Sequence, residues 1–152
     1  MSISWILAAL HLLGLGIGLG AVWTRAQALR GPLDKDGLLR VFRADGWWGG
    51  AAFIWLSTGL VRLLTSFEKG PAYYLHNAFF HTKLTLFVLI LVLEIMPMVT
   101  LIRWRKAIRH EDTPDTSRAR AMARISTVQA ILVVLIVFAA AGMARGLGVP
   151  RE

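Results

Sequence analysis

The sequence predicts an all-α integral membrane protein, an antiparallel four-helix bundle, and three observations carry that prediction. The chain has 152 residues, 56% of them hydrophobic, with a mean hydropathy of +0.58, above the usual globular range. Its apolar residues gather into four blocks, each close to the ~20 residues a helix needs to cross a bilayer. Its basic residues gather into two of the links between those blocks, the pattern of cytoplasmic loops.

The first span covers about residues 3–25. Its leading Met-Ser-Ile-Ser-Trp has no Lys or Arg, and its apolar run is longer than a signal peptide's core, so it reads as a retained helix. Gly14 with Gly18, and Gly16 with Gly20, stand at the spacing of close helix approach, which also offers a face for a homo-oligomer. Gly31-Pro32 ends this helix. Leu38–Phe42, with Arg40 and Arg43, reads as a short amphipathic helix on the membrane surface. The second span covers about 44–65, with Asp45 and Arg62 near its ends. Gly70-Pro71 marks the next turn, and the third span covers about 77–103, with Pro97 inside it. Thr113-Pro114 matches an N-cap and first helical position, which would start the last helix near Pro114. The fourth span covers about 124–145. Four spans with short links leave room for one transmembrane domain, residues 1–152.

The formal charge is +8. In a soluble chain that would raise nucleic acid as a partner. Here most of the basic residues lie in two links: Arg25, Arg30, Lys35, Arg40 and Arg43 in one, Arg103, Arg105, Lys106, Arg109, Arg118, Arg120 and Arg124 in the other. The positive-inside rule makes both links cytoplasmic and puts both termini outside. The charge is then a topology signal with contacts to anionic lipid, and nucleic acid is not expected. The absence of cysteine excludes disulfides, iron–sulfur clusters and covalently attached c-type haem.

Ionisable residues at membrane depth are costly and point to function. His11 stands alone in the first span, about 12 Å from its outer end at 1.5 Å per residue. In the third span His76, Lys83 and Glu94 are separated by about two and about three turns at 3.6 residues per turn, so they share one stripe. His81 points away from that stripe. Lys83 and His11 fall at similar depth, and Arg62 and Arg145 approach the same end from spans two and four. A ligand with carboxylates held there would meet cations. Each residue also has a plain packing role: a hydrogen bond to a neighbouring helix for His11, snorkelling for Lys83, and for Glu94 a neutral carboxyl or a bond to Gln129 or Ser57. Asp45 reads as a cap or a partner of Arg43. Trp5, Trp23, Trp47 and Trp104 form an aromatic belt. Met96, Met98 and Met143 lack the repeat of a copper pathway.

His11, the Leu38–Phe42 segment and Phe80-His81-Thr82-Lys83-Leu84 resemble the HemJ-type protoporphyrinogen oxidases, small bacterial membrane proteins. That family has a histidine in its first helix and a Trp-Leu-His-x-Lys-Leu-like motif in its third. Here Phe79 or Phe80 stands in place of that Trp, and Leu93-Glu94 in place of a later Tyr-His pair. The resemblance implies haem b held by His11 and Lys83. The chain also resembles an uncharacterised family of predicted four-helix bacterial membrane proteins. The leading expectation is a haem b-binding inner-membrane protein in electron transfer or oxidation of a porphyrinogen- or quinol-type substrate. Its expected ligands are His11 and Lys83, with His76 in reserve and Arg62 and Arg145 as cationic partners. The alternatives are a non-enzymatic accessory or assembly bundle, and proton or ion movement through His11, Lys83 and Glu94.

Overall fold

The computed structural model describes residues 3–64 and 77–147, and it is all-helical. Four helices follow in order: α1 (Ile3–Ala28), α2 (Lys35–Leu64), α3 (Ala78–Arg109) and α4 (Ala119–Ala144). By length and composition α1, α3 and α4 are apolar enough to cross a membrane. The second expected span is a helix of sufficient length, but Gly46, Gly49, Gly50, Ser57, Thr58 and Arg62 dilute its hydropathy. The outward side chains are apolar: Phe53 is 73% exposed and Phe138 70%. Such a surface suits lipid and would be a liability in water.

α1 is the central element, packed between α2 and α4, while α4 also packs on α3. The α1–α2 seam shows why α1 carries so much glycine. A Cβ on Gly14 would lie 3.2 Å from the Trp55 nitrogen and 3.3 Å from the Ala51 carbonyl oxygen, so the backbones meet where only hydrogen fits. Gly18 faces Trp48, and Gly59 of α2 lies under the His11 ring. Further along, Arg25 meets Asp45. The pairing therefore descends α2 as it climbs α1. α2 and α3 meet through side chains, including an edge-to-face contact of Trp55 with Phe87 at 4.9 Å.

Two apolar clusters fill the interior. One joins Val22, Trp48, Ile90, Val133 and Ile136. The other joins Leu29, Val41, Leu101, Trp104 and Met122 towards the basic end.

The structure corrects two local expectations. The amphipathic segment Leu38–Phe42 is no separate surface helix. It forms the early turns of α2, which at 1.5 Å per residue runs about 45 Å. Asp34 accepts from the Gly37 amide at 2.8 Å to start this helix, and a Cβ on Gly37 would overlap the Pro32 carbonyl. The last helix begins at Ala119, not near Pro114. A turn intervenes, in which Asp115 accepts from the Ser117 amide and its carbonyl accepts from Trp104 Nε1 at 2.8 Å. Pro97 lies inside the continuous extent of α3. The Gly70-Pro71 turn lies outside the described residues.

Candidate functional site

Two polar sites occupy the interior, one towards each end of the bundle. The first is built on Arg25, whose side chain is 0% exposed. A guanidinium has five N–H donors in a fixed fork, and here all five have acceptors. Nε donates to Ser126 Oγ at 3.1 Å. One terminal nitrogen donates to Asp45 Oδ1 at 2.9 Å and Glu94 Oε1 at 2.7 Å. The other donates to Glu94 Oε2 at 2.8 Å and Gln129 Oε1 at 2.9 Å. Gln129 closes the ring by donating to Glu94 Oε2 at 2.7 Å and to the Ile90 carbonyl at 3.2 Å. Arg105 donates to the second Asp45 oxygen at 2.8 Å. Every helix contributes: α1 the cation, α2 and α3 the carboxylates, α4 the neutral bridge.

This cluster revises the sequence reading of three residues. Arg25 is no link charge but the centre of the polar interior. Asp45 pairs with Arg25 and Arg105, not with Arg43. Glu94 does bond to Gln129, as one packing role foresaw, but both its oxygens accept from donors already aimed at them. Arg25 had a sequence signal: it follows Gly14 and Gly18 on the same helical face, and two acids at membrane depth require a cation.

The second site surrounds His11 at the other end. The His11 ring stacks on Trp55, centroids 5.3 Å apart and 23° between planes. Its Nδ1 lies 3.0 Å from the Trp55 carbonyl and 3.0 Å from Thr58 Oγ1. Thr58 donates its own proton back along α2, 2.7 Å from the Ile54 carbonyl. A carbonyl oxygen only accepts, so in the bond to Trp55 it is Nδ1–H that donates. A histidine whose other nitrogen donates to a backbone carbonyl is the arrangement that orients metal-binding imidazoles.

His11 lines a cavity of about 410 Å³ reached by all four helices, with Leu12 and Leu15 from α1, Trp55, Gly59 and Arg62 from α2, Phe80 and Lys83 from α3, and Ile136 and Ala140 from α4. That volume lies in the range of small-molecule sites, and the walls are mostly apolar with a few converging polar groups. The Trp55 indole Nε1 is buried with no acceptor among the described residues. An unsatisfied buried donor costs about 1–3 kcal/mol, so an acceptor on an occupant would stabilise this wall.

The structure thus brings His11, Lys83 and Arg62 to one cavity. It does not bring Arg145, which is exposed at the end of α4 while Met143 and Ala144 reach the lining. His76 lies outside the described residues. His81 is exposed and lines no part of the cavity. Glu94 borders a different cavity, between α2 and α3, which shares Leu15, Trp55 and Ile136 with the first as a common wall. Among the described residues no group of three His, Asp or Glu could hold a bare metal ion. The chemistry here is one imidazole with two cations.

The profile of the family described as "Predicted membrane protein (DUF2214)" matches residues 3–148, nearly the whole chain. No curated protein matches, and no solved structure matches. These findings agree with the expected uncharacterised membrane family and give no support to the HemJ-type resemblance, which rests on the quoted residues alone.

Proposed function

The chain belongs to this family of predicted membrane proteins, and from that premise we propose that it binds haem b in the cavity around His11 and serves electron transfer or oxidation of a hydrophobic porphyrinogen- or quinol-type substrate. The proposed setting is a bacterial inner membrane. There residues 1–152 form one antiparallel four-span domain, its two basic links in the cytoplasm and both termini outside.

The observation that carries the reading is the His11 ring, stacked on Trp55 and hydrogen-bonded through Nδ1 to the second helix, at an apolar cavity shared by four helices. The donor set suits a group that brings its own macrocyclic ligands. His11 and Lys83, with His76 in reserve, would hold its iron. Arg62, and Lys83 when not ligating, offer cations to carboxylates at the rim. Leu12, Leu15, Ile136 and Ala140 keep water from the interior. The Trp55–Thr58 pair holds the imidazole plane. When bound, haem b would supply a one-electron couple tuned by the residues that hold its iron.

The test is the absorption spectrum of the detergent-purified protein, with and without added haemin. A Soret band that His11→Ala removes while the protein still folds is expected. A colourless, folded protein that leaves added haemin unshifted would overturn the reading.

A second reading has its own observation. The Arg25 cluster leaves no donor of its guanidinium unmatched, as a purely structural lock would. It favours a non-enzymatic accessory or assembly bundle. Ion movement through His11, Lys83 and Glu94 draws less support, because Glu94 is held by Arg25 and Gln129 behind the Leu15–Trp55–Ile136 wall.

A further inference from the structure

A third cavity lies on the opposite flank of the α1–α2 pair, near its basic end. It encloses about 610 Å³ and is lined by Ile17, Gly20, Ala21, Thr24, Gln27, Ala28 and Gly31 of α1 and the loop after it, and by Arg40, Arg43, Ala44 and Trp47 of α2. The lining changes character along its length. From Ile17 to Ala28 the floor is mostly small or apolar, with Thr24 and Gln27 as its polar members towards the basic end. At 1.5 Å per residue the stretch from Ile17 to Gly31 runs about 20 Å, more than one leaflet of a ~30 Å hydrocarbon core. At the Gly31 end the groove meets two arginines.

Those arginines are uncompensated. Arg40 and Arg43 are both exposed and stand one turn apart, so like charges face each other. Neither has a carboxylate partner among the described residues, and no carboxylate lines the groove. Arg25 and Arg105, by contrast, carry their own acids. Thr24 spends its hydroxyl on the Gly20 carbonyl at 2.7 Å, which leaves Gln27 as the one polar side chain of the floor not turned back on its own helix among the described contacts. Trp47, 66% exposed, stands at the rim as an interfacial aromatic does.

We infer that this groove is a binding site for one anionic glycerophospholipid, with an acyl chain along Ile17–Ala28 and its headgroup phosphate between Arg40 and Arg43. A zwitterionic lipid fits the same floor but brings its own cation to the two arginines. The inference stands apart from the haem reading and needs only that the chain is embedded in lipid.

The experiment is native mass spectrometry of the full-length protein released from nanodiscs of phosphatidylglycerol and phosphatidylcholine in equal amounts. One phosphatidylglycerol is expected to remain bound in preference to phosphatidylcholine. Arg40→Ala/Arg43→Ala should lose that preference by on the order of fivefold per arginine. A Cβ on Gly20 would meet nothing, so Gly20→Leu fills the floor without displacing a neighbour. It should lower retention of both lipids with the helical circular dichroism intact. Gly16 is equally open but lines no part of the groove, so Gly16→Leu is the matched control. Retention unchanged in the double arginine variant, or lost equally in Gly16→Leu, would overturn the inference. Displacement of the lipid by inorganic phosphate alone would show a free-anion site and also overturn it.

Discussion

The two polar interiors of this bundle differ in completeness. Around Arg25 every guanidinium donor has an acceptor, and the two carboxylates and Gln129 are engaged in return. Around His11 the polar groups border a cavity of about 410 Å³, and the Trp55 indole donor has no acceptor among the described residues. A closed network fixes how four helices meet, because its members come from all four. A cavity beside a buried donor with no acceptor among the described residues is what a site for a further molecule would leave. The contrast teaches that membrane depth alone does not separate structural charges from functional ones. The state of their hydrogen bonding does.

Breaking the closed region should produce the largest effect. Arg25→Leu leaves the Glu94 carboxylate buried without its cation, and losing one member of a buried pair costs about 3–5 kcal/mol. The expected result is little folded protein by fluorescence-detected size exclusion. Arg25→Leu/Glu94→Leu should recover part of the loss, since Asp45 keeps Arg105. Glu94→Gln should destabilise by about 1–3 kcal/mol, because it removes one of the two acceptors that Glu94 offers Arg25. A melting temperature equal to the parent's in Glu94→Gln would show that Arg25 does not depend on that acceptor.

How much of this contrast was legible in the sequence depends on the kind of signal. The four helices were legible, because apolar runs of membrane length leave few alternatives. Helix ends were less so: Pro114 carries the right chemistry for a start, yet Asp115 and Trp104 hold a turn there instead. His11 and Lys83 were legible as isolated ionisable residues, and their common cavity followed from depth. Arg25 was misread because it sits at the end of an apolar run beside other basic residues. Only the packing of α1 between α2 and α4 turns it inward. Arg145 failed for the reverse reason. Its position in the chain is right for the cavity, but the helix ends there and leaves it exposed.

The open region should respond differently. His11→Ala removes a hydrogen bond whose acceptors have other donors or partners nearby, so the cost to stability should stay near 0.5–1.5 kcal/mol. The proposed Soret band, in contrast, should vanish. Comparable unfolding in His11→Ala and Arg25→Leu would erase the distinction between the two regions. Between them lies the α1–α2 seam, where Gly14→Ala should destabilise by about 1–3 kcal/mol, since its methyl would press on backbone atoms that cannot turn away. Gly16→Ala meets open space and should be neutral or stabilising by up to about 1 kcal/mol. Thermal unfolding in one detergent ranks the pair, and equal melting temperatures would refute the close seam.

The smallest effect is expected outside both regions, in the turn before α4, and it supplies a baseline for charge without burial. The Ser117 amide and hydroxyl, with Arg118 nearby, hold the Asp115 carboxyl below its ordinary value of 3.8. A carboxyl depressed in the folded state stabilises that state at pH above 3.8, and the contribution fades as pH falls through the lower folded value. Asp115 is fully exposed, so water and salt screen the interaction, and Asp115→Asn should leave the neutral-pH melting temperature nearly unchanged. Below 3.8 the parent should lose a little more stability than Asp115→Asn, which has no proton to take up. An Asp115→Asn protein that melts far below the parent at neutral pH would show that this turn anchors α4 more strongly than its exposed charge implies. The bond from Trp104 Nε1 to the Asp115 carbonyl would then be the contact to remove next, because Trp104 is buried and ties the turn to α3.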